Sequence, residues 1–208
     1  MKKSKYNLPM TAAEIHALLD KDTEYCARTK AREAKMVAVV SERKKDELPI
    51  IVELRKSGIE VESVYDLVNS KKSYPDAIPV LLRHLRMKHD PSIKEGIVRA
   101  LIDPASVIGF DIIYDEFCNT PAVSEKQDFI GHQMKWLLGA ALAEATRIET
   151  LPKVLDLLRD KSQGEGRERL IYVVKILPKK KRQVLLHELS EDPDLEKIIK
   201  KAKLNLKE

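Results

Sequence analysis

Residues 77–101 and 150–174 superpose without a gap, and this internal match constrains the fold more than any other feature of the sequence. Ala77-Ile78-Pro79 falls on Thr150-Leu151-Pro152, and Leu81, Leu82 and Leu85 fall on Val154, Leu155 and Leu158. Further along, Lys94-Glu95 falls on Arg167-Glu168 and Ile97-Val98 on Leu170-Ile171. The offset of 73 residues halves to about 36, the length of one helix pair and a period typical of stacked helical repeats. A looser match, shifted by 102 residues, lays Asp90-Pro91 on Asp192-Pro193, Ile93 on Leu195 and Ala100 on Ala202. A helix pair with one apolar stripe per helix cannot bury that stripe alone. Stacking such pairs creates one continuous core held by nearest-neighbour interfaces.

Helical periodicity dominates the rest of the chain, and no stretch alternates as a half-buried strand does, so the sequence predicts an all-α fold. Thr11-x-x-Glu14 forms a capping-box pattern ahead of Ile15, Leu18 and Leu19. A long, kinked and very charged first element is expected to continue through Met36, Val37 and Val40. A second helix is then expected to start at Asp46 with Pro49 in its first turn and to end at Gly58. A short helix around Val64–Val68 follows, and Ser73-x-x-Asp76 with Pro75 marks the next start. Asp90-Pro91, Asp103-Pro104, Ser124-x-x-Gln127 and Asp192-Pro193 mark later ones. Residues 1–75 read as an N-terminal helical segment and cap. Residues 76–208 read as repeats ending in a capping helix pair, whose Lys200 and Lys203 stand where the 90–101 helix has Val98 and Leu101.

The repeat resembles the HEAT family. Ala77-Ile-Pro-Val-Leu-Leu-Arg-His-Leu, a turn holding Asp90-Pro91, then Ile93-Lys94-Glu95 and an apolar run to Leu101 is similar to that pattern: a proline in helix A, an aspartate in the turn and a basic residue early in helix B. The 150–177 block keeps Pro152 and Arg167 but has Gln163 at the aspartate position. The resemblance is clearest over residues 76–177. It implies a right-handed α-solenoid whose concave surface binds a protein partner. Some HEAT-like relatives are DNA glycosylases or subunits of bilin-attaching enzymes, but no motif specific to either occurs here.

Net charge is +5, which invites a nucleic-acid reading until the charge is located. Residues 1–75, 76–150 and 151–208 carry +3, −3 and +5, so the middle lacks the continuous positive track that neutralises phosphates. Aromatic residues, at 5%, are too few for base stacking along a strand. Only weak nucleic-acid binding is expected, and a nucleic-acid-binding HEAT-like protein is the alternative to a protein-binding one. Cys26 and Cys118 form neither a disulfide framework nor a zinc motif. No apolar run reaches the roughly 18 residues of a membrane span, and the chain is expected to be cytoplasmic.

No nucleophile elbow, phosphate loop or dinucleotide fingerprint occurs, so a non-enzymatic scaffold, inhibitor or immunity-type protein without cofactor or metal is expected. The histidines show no metal spacing, with His84 and His89 five apart. If the repeats curve, the turn-facing and helix-B residues Lys94, Glu95, Arg99, Lys135, Glu144, Arg167, Arg169 and Lys175 include those expected to line the inner surface. Ordinary solvated surface is the competing reading, with Arg99 and Asp103 able to pair at i, i+4. Trp136, the sole tryptophan, shares a face with Gly139, Ala140 and Ala143. It is either a binding anchor or a contact with the next repeat. Lys179, Lys180, Lys181 and Arg182 start a helix, where the macrodipole disfavours cations. They complete the candidate partner-binding set. Asp111, Asp115 and Glu116 read as an acidic patch or a solvated helix face.

Overall fold

A computed structural model describes residues 11–70, 72–122 and 129–205. The Ser124/Gln127 pair lies outside them. Among the described residues the chain is all-helical, with no strand. It divides into two compact units, 1–45 and 46–208.

The first unit contains α1 (Ala12–Leu19) and the opening of α2 (Thr23–Lys56). The Thr11/Glu14 capping box forms as expected. The break falls at Asp20–Asp22, where Asp22 Oδ1 accepts the Glu24 and Tyr25 N–H groups, both at 3.0 Å. No residue from 11 to 45 is buried.

The expected helix start at Asp46 is not made: α2 runs through it, with Pro49 inside the helix. The stretch before it is rich in strong helix formers. The Asp46 carboxylate is engaged elsewhere, accepting the Asp90 N–H at 2.7 Å. Gly58 ends α2 as expected. At φ +81° it permits a Schellman turn, with Ile59 N–H donating to Leu54 O and Gly58 N–H to Arg55 O.

The second unit continues with α3 (Val64–Val68), α4 (Ile78–Leu85), α5 (Pro91–Ala100), α6 (Phe110–Asn119) and α7 (Phe129–Ala145). After these come α8 (Leu151–Arg159), α9 (Arg167–Leu170), α10 (Lys179–Leu189) and α11 (Pro193–Asn205). Short 3-10 turns precede α4, α6 and α9, and a fourth extends α9 over Ile171–Ile176. Asp90, Asp103 and Asp192 each accept an N–H two residues on, at 2.9, 2.8 and 3.1 Å. Ser73-x-x-Asp76 does not cap; Tyr74 precedes the Pro75–Ala77 turn without a side-chain bond.

The helices pair as α4/α5, α6/α7, α8/α9 and α10/α11. In addition α3 packs on α5, α5 on α7, α7 on α9 and α9 on α11. The core follows the repeat register: Ile78 and Leu151, Leu81 and Val154, Leu85 and Leu158, Ile97 and Leu170, Val98 and Ile171 are all buried. Leu155 departs from it. Leu82 is buried against Gly109, where an added Cβ would lie 2.3 Å from Leu82 Cδ2. Leu155 is only half-buried and borders an open cleft.

Candidate functional site

Two cation–aromatic contacts lie on α7, α9 and the turn after it. The Arg169 guanidinium carbon stands 3.6 Å from the Trp136 ring centroid, and Lys175 Nζ stands 5.4 Å from that of Tyr172. Arg169 and Tyr172 are three residues apart, so they stand on one side of a helix. Trp136, Arg169 and Tyr172 are half-buried and Lys175 is exposed. Trp136 and Tyr172 pack partly against the core, and Trp136 of α7 meets Arg169 of α9, so the contact with the following helix pair is made and the ring face bears a fixed positive charge. Tyr172 is a member that periodicity did not single out, because its neighbours in sequence are core residues.

The other candidate residues divide between surface and interior. Lys94 pairs with Glu116, and Arg99 Nε donates to Glu95 at 2.7 Å. The anticipated Arg99–Asp103 pair is therefore replaced by Arg99–Glu95, since Asp103 caps Ala105. Asp111 of the acidic trio lies 3.3 Å from Lys153 Nζ.

Lys135 and Arg167 are not inner-surface residues. Lys135 is 3% exposed, and its ammonium donates to Phe117 O and Thr120 O, both at 2.7 Å, and to Gln163 Oε1 at 2.8 Å. Its Nζ also lies 4.4 Å from the Phe117 ring centroid. Burial holds its pKa below the ordinary lysine value. Gln163, the departure from the repeat pattern, thus serves Lys135, while Asp160 caps the turn by accepting Ser162 N–H at 3.0 Å.

Arg167 is fully buried. It donates to Asp192 at 2.7 Å, to Asp194 at 3.0 Å and to Gly164 O at 3.3 Å. The Arg167 hydrogen bond holds the Asp192 carboxyl below its usual range.

Lys179, Lys180 and Lys181 are exposed in the first turn of α10. Arg182 differs: its Nη2 donates to Lys175 O and Leu177 O at 2.9 and 3.1 Å, closing the preceding turn.

A histidine pair escaped the spacing argument because its members lie on different elements. His84 of α4 and His89 of the following turn meet at 3.1 Å, Nδ1 to Nε2, and His89 Nδ1 lies 3.1 Å from Asp46 Oδ1. His84 Nε2 faces Glu53 at 3.6 Å, and Glu53 is paired with Arg83. Burial is the main reason the His84 pKa is lowered. Among the described residues no cluster of His, Cys, Asp and Glu is suited to a metal. No described helix is long and apolar enough to cross a membrane.

Compared with known proteins, this chain matches no family model, no curated protein and no solved structure.

Proposed function

We propose that this protein is a non-enzymatic, HEAT-like right-handed α-solenoid that binds another protein, with Trp136, Arg169, Tyr172 and Lys175 at the centre of the binding surface. The observation that carries the reading is the Trp136–Arg169 stack. Tryptophan and arginine are enriched among residues that dominate binding energy, and a guanidinium held on an indole is pre-organised, so little side-chain entropy is lost on docking. The row α3, α5, α7, α9, α11 and the four flanking helix pairs support the solenoid, because each neighbour buries the stripe of the last. A scaffold, an inhibitor and an immunity-type protein all use such a surface in this way. We place the protein in the cytoplasm, a reading supported by two free thiols, Cys26 and Cys118.

Affinity capture from native lysate, with wild type beside Trp136→Ala, tests the proposal. The expected result is a defined protein retained by wild type and lost from a Trp136→Ala variant that melts at the wild-type temperature. Equal capture by both refutes the assignment of the surface. Tight, sequence-selective duplex DNA binding at physiological salt, falling steeply as salt rises, replaces the protein reading with the nucleic-acid one.

A further inference from the structure

A cleft of about 360 Å³ opens between α8 and α10. Its size sits at the small end of ligand-binding pockets, enough for one large side chain and its flanks. Leu155, Leu177, Val184 and Leu185 make its apolar floor. Val184 is 71% exposed, more than any other exposed large hydrophobic among the described residues. Nothing in the helix explains its presence there: Leu185, Leu186 and Leu189 already supply the buried stripe of α10.

The rim is cationic. Lys180 and Lys181 lie one turn before Val184, on the same side of the helix. Among the described residues neither has a carboxylate within ion-pair reach. The cleft's own carboxylate, Glu188, is occupied by Arg159 Nε at 2.8 Å. Lysines in the first turn of a helix oppose its macrodipole, so helix stability does not account for them.

We propose that this cleft docks an acidic segment of a partner protein that carries one bulky apolar side chain. The apolar side chain covers Val184 between Leu155 and Leu177, and flanking carboxylates reach Lys180 and Lys181. The positive rim selects against basic segments, since like charges across an interface carry a penalty. None of Trp136, Arg169, Tyr172 and Lys175 lines the cleft, so this proposal holds or fails independently of the proposed function.

Selection of a displayed library of random short peptides on the full chain, counter-selected on Val184→Glu, tests this. Enriched peptides are expected to share a Leu, Phe, Met or Trp flanked by Asp or Glu. A synthetic representative is expected to bind wild type about tenfold or more tighter than either V184E or the K180E/K181E double variant, as for loss of a binding anchor. Its affinity for Trp136→Ala is expected to match wild type, which separates this site from the proposed function. Val184, Lys180 and Lys181 are exposed, and thermal melts verify that all three variants fold. The proposal is overturned if no peptide survives counter-selection, if the enriched peptides are neutral or basic, or if K180E/K181E binds as wild type does. Binding to vesicles containing phosphatidylserine, without binding to any acidic peptide, also overturns it in favour of a lipid surface.

Discussion

Replacing Arg167 with Met keeps most of the side-chain volume and deletes the charge at the most completely buried ion pair among the described residues. Arg167 is fully buried and Asp192 is 8% exposed, so little water reaches the lost contact. Hydrogen bonds to charged groups contribute about 1.5–3 kcal/mol each. The Asp192 bond at 2.7 Å counts in full, whereas the Asp194 carboxylate, 63% exposed, adds about 0–1 kcal/mol. Stranding Asp192 is the larger effect, and breaking a buried pair from one side costs about 3–5 kcal/mol. We expect Arg167→Met to cost about 3 kcal/mol. Urea unfolding followed by the fluorescence of Trp136 reads this directly, because that ring lies in the same unit. With a slope near 2–3 kcal/mol/M the midpoint falls by about 1–1.5 M. Asp192→Asn, which retains an acceptor for the Asp194 N–H, costs less, and the double variant costs less than the sum of the singles. The pH dependence has a definite sign. Arg167 depresses Asp192 below 3.8, so its stabilisation is present above that value and is lost as the pH falls through the depressed pKa. Arg167→Met therefore flattens the acid limb. A loss under about 1 kcal/mol, or an Asp194→Asn variant as damaging as Asp192→Asn, would refute the reasoning.

Two other predictions rest on the geometry. His84 titrates below 6.5 in the folded protein, so the unfolded chain takes up its proton first; stability declines as pH falls below about 6.5 towards the depressed value, and His84→Gln removes that component, as pH-series urea melts will show. Gly139→Ala places a Cβ 2.5 Å from the Gly166 carbonyl oxygen, and because that oxygen belongs to the backbone we expect about 1–3 kcal/mol of destabilisation, measured by the same unfolding assay.

The helix pairs were legible because burial of aliphatic residues follows a local period, and the 73-residue match repeats it. Caps at Asp90, Asp103 and Asp192 were legible for the same reason: cap and N–H are two residues apart. The misread features depend on distant partners. Lys135 looks like surface until Phe117, Thr120 and Gln163 converge on it, and Arg167 does so until Asp192 arrives from 25 residues away. His84 and His89 meet only because α4 ends between them. Asp46, read as a cap, is drawn to the 89–90 turn 43 and 44 residues on. The Trp136–Arg169 stack joins residues 33 apart, beyond the reach of any single-helix pattern.

The repeat register explains why charge alone could not locate a binding surface. Lys94 and Arg167 occupy equivalent positions, and both reach forward: Lys94 to Glu116 of α6, Arg167 to Asp192 ahead of α11. In each case a cation near the start of the second helix of a pair binds the following pair to its own. Such cations belong to the contacts between neighbouring helix pairs. Arg182, spent on the carbonyls of Lys175 and Leu177, does the same work within one junction. Once these are set aside, Arg169 and Lys175 remain over aromatic rings, and Lys180 and Lys181 beside exposed Val184. Positive charge next to uncovered apolar surface is what a mixed acidic and apolar partner recognises. At Val184, 71% exposed, that pairing is the most open.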